Sequence, residues 1–447
     1  MISVQNRRQQ LSGNKLVSLL FLIVTLFMSS CSLFKTTTTT KTDKPKTDNT
    51  TVITEDKKTD TKETIEKVPD TISSETKGKS WNKRDSYNIA MLLPFSVDEA
   101  ELDKLMAEEN ITGYQPLGSL EFYEGALLAI DTLKKLGVNL TVTVYNSKKD
   151  SLSTSVLMQG EEFKKMDLVI GPVFNDGLKA AAEIAKKNEV FIVSPLSPAV
   201  NITADNKFYF MANAPISTQL FKTIEYVTTK HIRANLILVY RSDKPHELKI
   251  ANEFKTEFEL ANKYKTATLK EASNISGVTE NLNDEDNFVF IASNDELYVN
   301  GLVRDLSKSA RNNSVTLLGM QNLLTLESIS LDYFESLHFH YPTSYWVDQN
   351  APRVKRFNDV FTAEYGIRPS EFAYRGYDIM LYFGALMANY GPAIDVQIVN
   401  PNPVIKYMLY PLKFTPKFSD DNQIEFMENS NITILKYENF RFEKANQ

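Results

Sequence analysis

Few residues in this chain have the type and spacing for covalent or acid–base chemistry. Its one cysteine is Cys31, and its four histidines are His231, His246, His338 and His340. A lone thiol has no intramolecular partner, so no internal disulfide is expected. Cys31 ends a segment with Arg7, Arg8 and Lys15 upstream, an apolar run from Leu16 to Met28, and then Ser29 and Ser30. A basic start, a short apolar core and small residues at a cut site make a secretory signal. The run is short of the roughly 20 residues of a membrane span. A cysteine at such a cut needs a reason, and thiol catalysis is not expected to be it. His338-Phe-His340 would set two imidazoles on one face of a strand, but no nearby Cys or His completes a metal site. Neither a nucleophile elbow, a zinc-protease helix nor a phosphate-binding glycine loop is present. Glu108-Glu109 and Asp284-Glu285-Asp286 read as solvated turns rather than acid–base pairs. No catalytic residue, metal or cofactor is expected.

Polar and small residues at the ends of the expected strands are the better candidates. They are Pro94, Phe95, Ser96, Asn146, Gly171, Pro172, Asn175, Ser194, Ser197, Arg241, Ser293 and Asn294. In open α/β sheets ligands meet the carboxyl ends of strands, where such side chains can hydrogen-bond a polar ligand. Turn chemistry and helix capping use the same residue types. A second cluster pairs aromatics with a guanidinium: Tyr341-Pro-Thr-Ser-Tyr-Trp346 with Tyr374-Arg375. It would stack on a sugar or a partner side chain, or serve as core packing. The stretch Val97 to Leu117 reads as a long loop after the first strand, a cap on a cleft or a face for a partner.

The elements that must position these residues alternate. Ile89–Pro94, Leu140–Tyr145, Leu168–Gly171 and Val190–Val193 read as strands, with helices over Ser119–Leu136 and Leu178–Lys187. After Ala214 the pattern restarts, with strands at Leu236–Tyr240, Phe288–Ala292 and Val315–Gly319 separated by helical stretches 244–262 and 294–310. Alternating strands and helices predict parallel sheets, and two such series predict an α/β chain of two doubly wound lobes. Lobe one is placed at about 87–212 and lobe two at about 213–340, with late helices and strands over 341–447 crossing between them.

Upstream, residues 35–80 form a Thr/Lys/Asp/Glu mixture that starts with a threonine run, Thr36 to Thr40. Such a segment buries too little surface to offset chain entropy, so a disordered tether is expected over 31–80, after a signal over 1–30. A coil of that length spans about 40 Å r.m.s. and stretches to about 160 Å. Ten lysines against nine acids leave residues 32–80 nearly neutral, and the region from Trp81 onward carries about −10, against −6 for the whole chain. That acidity opposes nucleic-acid binding and flat docking on anionic lipid.

Two resemblances sharpen this. Met28-Ser-Ser-Cys31 resembles the lipobox of bacterial lipoproteins, which implies cleavage before Cys31 and a lipid on its sulfur. Ser32 in the following position implies the outer membrane, facing the periplasm. The region from about 87 to 442 resembles the type I periplasmic-binding-protein fold of leucine-type receptors. Ile89–Phe95, Glu121-Phe-Tyr-Glu-Gly-Ala126, Leu168-Val-Ile-Gly-Pro172, Ile192-Val-Ser-Pro-Leu-Ser-Pro198 with Phe208-Tyr-Phe210, and Tyr365–Ser370 with Tyr374-Arg-Gly-Tyr-Asp378 carry the likeness. Where those receptors grip an amino acid with serines and threonines, this chain has Asp176 and Pro198. An amino-acid grip of that kind is therefore not expected. Leu93-Pro-Phe95 and Leu120–Ile130 are most similar to LysM-linked envelope proteins, and the anchored form to penicillin-binding-protein activators. The LysM part is absent.

The expectation is a non-catalytic envelope lipoprotein that binds a ligand or protein partner through this two-lobed fold. The resemblance implies a cell-wall synthase or a peptidoglycan-associated partner, with membrane contact through the lipid and a small polar ligand as a further partner. The alternative is the substrate-binding receptor of an ABC transporter. A metal-assisted hydrolase is the least supported class.

Overall fold

A computed structural model describes residues 84–95, 115–148, 150–391, 405–419 and 421–445. Cys31, Ser96, Glu108, Glu109 and the signal and tether segments lie outside the described residues.

The chain opens with β1 (Tyr87–Leu93), α1 (Gln115–Lys135), β2 (Leu140–Asn146), α2 (Ser151–Met158), β3 (Leu168–Ile170), α3 (Asn175–Asn188), β4 (Phe191–Ser194) and β5 (Tyr209–Met211). It continues with α4 (Ile216–Lys230), β6 (Asn235–Val239), α5 (Pro245–Asn262), β7 (Thr268–Ala272), α6 (Ile275–Asn281), β8 (Asn287–Ile291), α7 (Glu296–Ser309), β9 (Val315–Leu318), α8 (Leu331–Ser336) and β10 (His340–Thr343). Last come α9 (Pro352–Tyr365), α10 (Glu371–Tyr390), β11 (Phe414–Phe418), β12 (Ile424–Asn429), β13 (Thr433–Glu438) and β14 (Arg441–Lys444).

Two seven-stranded sheets result, alike in the order of their first five strands. The first runs β2-β1-β3-β4-β5-β12-β11 and the second β7-β6-β8-β9-β10-β13-β14. Within each, the first five strands are parallel and doubly wound. Their near-continuous apolar runs follow from burial on both faces. Ile89, Met91 and Leu93 of β1 pack on one side with α1 and α10, and Ala90 and Leu92 on the other with α3. β6 divides likewise, Ile237 and Val239 against α7, Leu236 and Leu238 against α4 and α5.

The sheets are mixed, not purely parallel: β11–β12, β10–β13 and β13–β14 pair antiparallel. Phe208–Phe210, grouped from sequence with the Ile192–Pro198 motif, falls largely in a strand of its own, β5. Two to three aromatic residues carry too little period to separate a short strand from a connection. Residues 115–117, read as loop, begin α1.

The chain passes between the lobes over 212–215, 344–351 and 430–432. Asn429, fully buried, joins all three passages. Its Nδ2 donates to the Ala212 carbonyl (3.1 Å) and the Ser344 carbonyl (3.2 Å), while its Oδ1 accepts from the Asn431 N–H at 3.1 Å. Ser344 Oγ donates to Asn213 Oδ1, and Asn213 Nδ2 donates to the Leu196 carbonyl at 2.8 Å. A buried amide with both ends satisfied specifies one arrangement of the strands it joins.

Candidate functional site: the strand ends beside the crossovers

The strand ends of lobe one form an apolar face. Leu93, Pro94, Phe122, Val173, Leu196 and Phe372 line a small depression there. Gly171 shapes it. Its φ of +95° needs glycine, and a Cβ would strike the Leu92 carbonyl oxygen. The polar candidates on this side are engaged with one another. Asn146 Oδ1 accepts from the Phe95 N–H (3.0 Å). Ser197 Oγ donates to Asn175 Oδ1 at 2.6 Å and accepts from the Ala199 N–H at 3.2 Å. Ser194 is buried, its hydroxyl 3.4 Å from the Ser197 carbonyl. These are turn-forming bonds. Asp176 and Pro198 are exposed on the same face.

On lobe two, Arg241 is held by its neighbours. Glu247 is only 3 % exposed and receives the Arg241 guanidinium, the Arg241 N–H (2.7 Å) and the Ser293 hydroxyl (2.7 Å). Asp295 takes another guanidinium N–H at 3.1 Å, and the Tyr298 ring lies 4.0 Å from the guanidinium carbon. Burial alone would raise the Glu247 carboxyl, but the hydrogen bonds from Arg241 and Ser293 outweigh it and hold it below the usual range. Its bond to Glu247 in turn raises Arg241. Arg241 is therefore a structural cation that ties the β6 end to α5 and α7. Asn294 is exposed.

Beside this cage lies a cavity of about 330 Å³. Ile250, Phe290 and Met320 form its apolar wall, and Asn213, Gln219 and Ser293 are polar lining, with Gln219 Nε2 donating to the Ala214 carbonyl at 2.8 Å and leaving its Oε1 to accept. Asn213 and Ser344 belong to the passages between lobes, and Asn213 is bonded to the β4 loop of lobe one. The cavity therefore sits at the strand ends and at the joint together. Of the twelve candidates, Ser293 lines it and Pro94 lines the lobe-one depression. Gln219, Met320 and Asn213 were missed. Gln219 lies on a helix with no motif around it, so only the fold reveals it.

His340 is half-buried, stacks on Tyr226 at 5.9 Å and faces the His338 carbonyl through Nδ1 (2.5 Å). Burial lowers it to about 4, so this ring is neutral at pH 7. Among the described residues no three His, Cys, Asp or Glu side chains converge as metal ligands. The Asp284–Asp286 turn is tied by an ion pair of Glu285 with Arg233 and a hydrogen bond between Asp286 and His231 at 2.7 Å.

No protein-family model and no curated protein matches the sequence. Solved structures do match the fold. A branched-chain amino acid ABC transporter protein from Rhodospirillum rubrum superposes with a TM-score of 0.57 at 16 % identity, covering 80 % of this chain and 100 % of that one. A branched-chain amino acid transporter protein from Rhodopseudomonas palustris gives 0.54 at 12 % identity, covering 80 % and 95 %. An ABC transporter substrate-binding protein from Desulfitobacterium hafniense gives 0.50 at 16 %, covering 80 % and 100 %. The chain has the two-lobed α/β fold of the type I periplasmic binding proteins.

Proposed function

We propose that this chain is a non-catalytic solute receptor of the cell envelope, anchored by lipid on Cys31 and tethered through residues 31–80. The observation that carries the reading is the 330 Å³ cavity, which touches the lobe-two strand ends and the joint at once. A ligand held there bears on the relative position of the lobes. The volume suits a single small solute. Its polar atoms on lobe two and the apolar face of lobe one favour a solute with one polar and one apolar end. Receptors of ABC transporters share the fold, and this supports ranking the receptor reading above the cell-wall regulator that the sequence alone favoured. Fold likeness by itself does not assign function.

Free leucine-type amino acids are not the expected ligand. The lobe-one hydroxyls of Ser194 and Ser197 are engaged locally, and Asp176 repels a carboxylate. A thermal-shift screen of the chain with amino acids and other small solutes tests this. A saturable shift with a non-amino-acid solute, lost in Met320→Trp at unchanged basal melting temperature, supports the reading. A micromolar leucine shift restores the amino-acid receptor. No shift with any solute removes the receptor reading.

A further inference from the structure

A cavity of about 1,020 Å³ lies next to the strand-end site and shares only Gln321 with it. Tyr341 of β10 contributes lobe two's wall. Residues of α9 and the start of α10, which pack on lobe one, form the opposite wall. The passage 344–351 brings in Trp346. None of the twelve strand-end candidates lines it; the aromatic cluster Tyr341–Trp346 and Tyr374 does.

Its chemistry is specific. Tyr374 donates its hydroxyl to Asn358 Oδ1 (2.8 Å), and Asn358 Nδ2 donates to Gln349 Oε1 (3.2 Å), so the Gln349 amide nitrogen is left to donate elsewhere. The Tyr341 hydroxyl and the Trp346 indole N–H have no hydrogen-bond partner among the described residues. Arg368 is exposed and makes no ion pair among them; of the two acids that share the lining, Glu371 is held by Arg375 at 2.6 Å and Asp359 is exposed. Aromatic faces suit the C–H faces of pyranose rings, and amide and phenol groups suit ring hydroxyls. A free guanidinium suits a carboxylate. The volume lies at the upper end of small-molecule sites, which favours more than one ring.

We propose that this cavity is a second binding site, which takes a short oligosaccharide carrying a carboxylate. The proposal stands apart from the strand-end receptor reading, since the two sites have different walls. Calorimetry on the full chain in detergent tests it, with hyaluronan tetrasaccharide as the uronate probe and chitotetraose as the neutral one. Fluorescence in a Trp81→Phe background isolates Trp346, the other tryptophan. Saturable binding of the uronate probe in the micromolar to sub-millimolar range is expected, about tenfold weaker for the neutral probe. Arg368→Ala, at an exposed position, should erase that preference, and Tyr341→Phe should weaken both probes several-fold. Met320→Trp, which fills the strand-end cavity, should leave calorimetric binding intact. Three results overturn the proposal: no saturable heat with either probe, a preference that survives Arg368→Ala, or binding abolished by Met320→Trp. Binding of an aromatic peptide in place of both sugars would overturn it equally.

Discussion

Asp378 shows what burial does to one carboxylate. It is fully buried on α10 and accepts from the Tyr345 hydroxyl (2.8 Å), the Leu409 N–H (2.8 Å) and the Tyr410 N–H (2.9 Å). It thus ties α10 to the second passage and to the segment before β11. Desolvation pushes its carboxyl up to about 7, against the lowering effect of those three donors. The unfolded chain releases this proton near 3.8, whereas the folded chain keeps it up to about 7. The native state therefore binds more protons in that window, and this group's contribution to stability falls as pH rises from about 4 to about 7. Asp378→Asn should flatten that part of the pH dependence. It should also cost about 1–3 kcal/mol, because the amide nitrogen is a donor facing donors. Urea melts at pH 4, 5.5 and 7 measure both; an unchanged slope would assign the dependence to other groups. Arg241 makes the complementary point about legibility. Its position at a strand end was readable, but its partner Glu247, six residues later on the next helix, was not read as the group that occupies it. Residue type does not distinguish a ligand arm from a structural cation.

Helix α1 and helix α10 carry the clearest case of sequence motifs whose meaning is packing. Gly125 lies in the Glu121–Ala126 motif and Gly376 in the Tyr374–Asp378 motif, about 250 residues apart. A Cβ on Gly125 would overlap the Ala373 carbonyl oxygen, and one on Gly376 would overlap the Phe122 carbonyl oxygen. Each glycine is thus the notch for the other helix's backbone, and the crossing is closer than side chains permit. Gly125→Ala or Gly376→Ala should destabilise by about 1–3 kcal/mol or more through forced separation of the helices. The double variant should cost less than the sum, because the first separation relieves the second. Chemical denaturation of the three variants decides this; full additivity would mean two independent clashes. Strands β1–β4, β6, β8 and β9 were legible because buried strands leave apolar runs, whereas β5, β7 and β10 were not read as strands. The four late strands β11–β14 were not individually legible, because they are short and alternate weakly. Half-buried runs such as Phe414–Phe418 and Arg441–Lys444 lack the apolar density of Ile89–Leu93.

For the whole molecule, two doubly wound lobes could be read in advance, but the strand order and the cavities could not. They form where lobes and passages meet, and that depends on contacts such as Asn429 to Ala212 and Ser344. The same scale bears on how the chain meets a membrane. Among the described residues no helix is long and apolar enough to cross a membrane. The region from Trp81 onward carries about −10 charge, which opposes adsorption on anionic lipid. On the proposed reading, stable membrane association then rests on acyl chains at Cys31, each buried methylene contributing about 0.8 kcal/mol. Cys31→Ser removes the attachment atom and nothing that packs among the described residues. The variant should leave the membrane pellet for the soluble fraction while keeping the melting temperature of the parent. Salt-washed fractionation with immunoblotting measures the first, and thermal unfolding of the released protein the second. A serine variant that stays in the washed pellet would place the anchor elsewhere in the chain or on a partner. One that is released but melts early would mean that the anchor also supports the fold. Release at unchanged stability is the outcome that separates tethering from binding, and it leaves both cavities to be studied in solution.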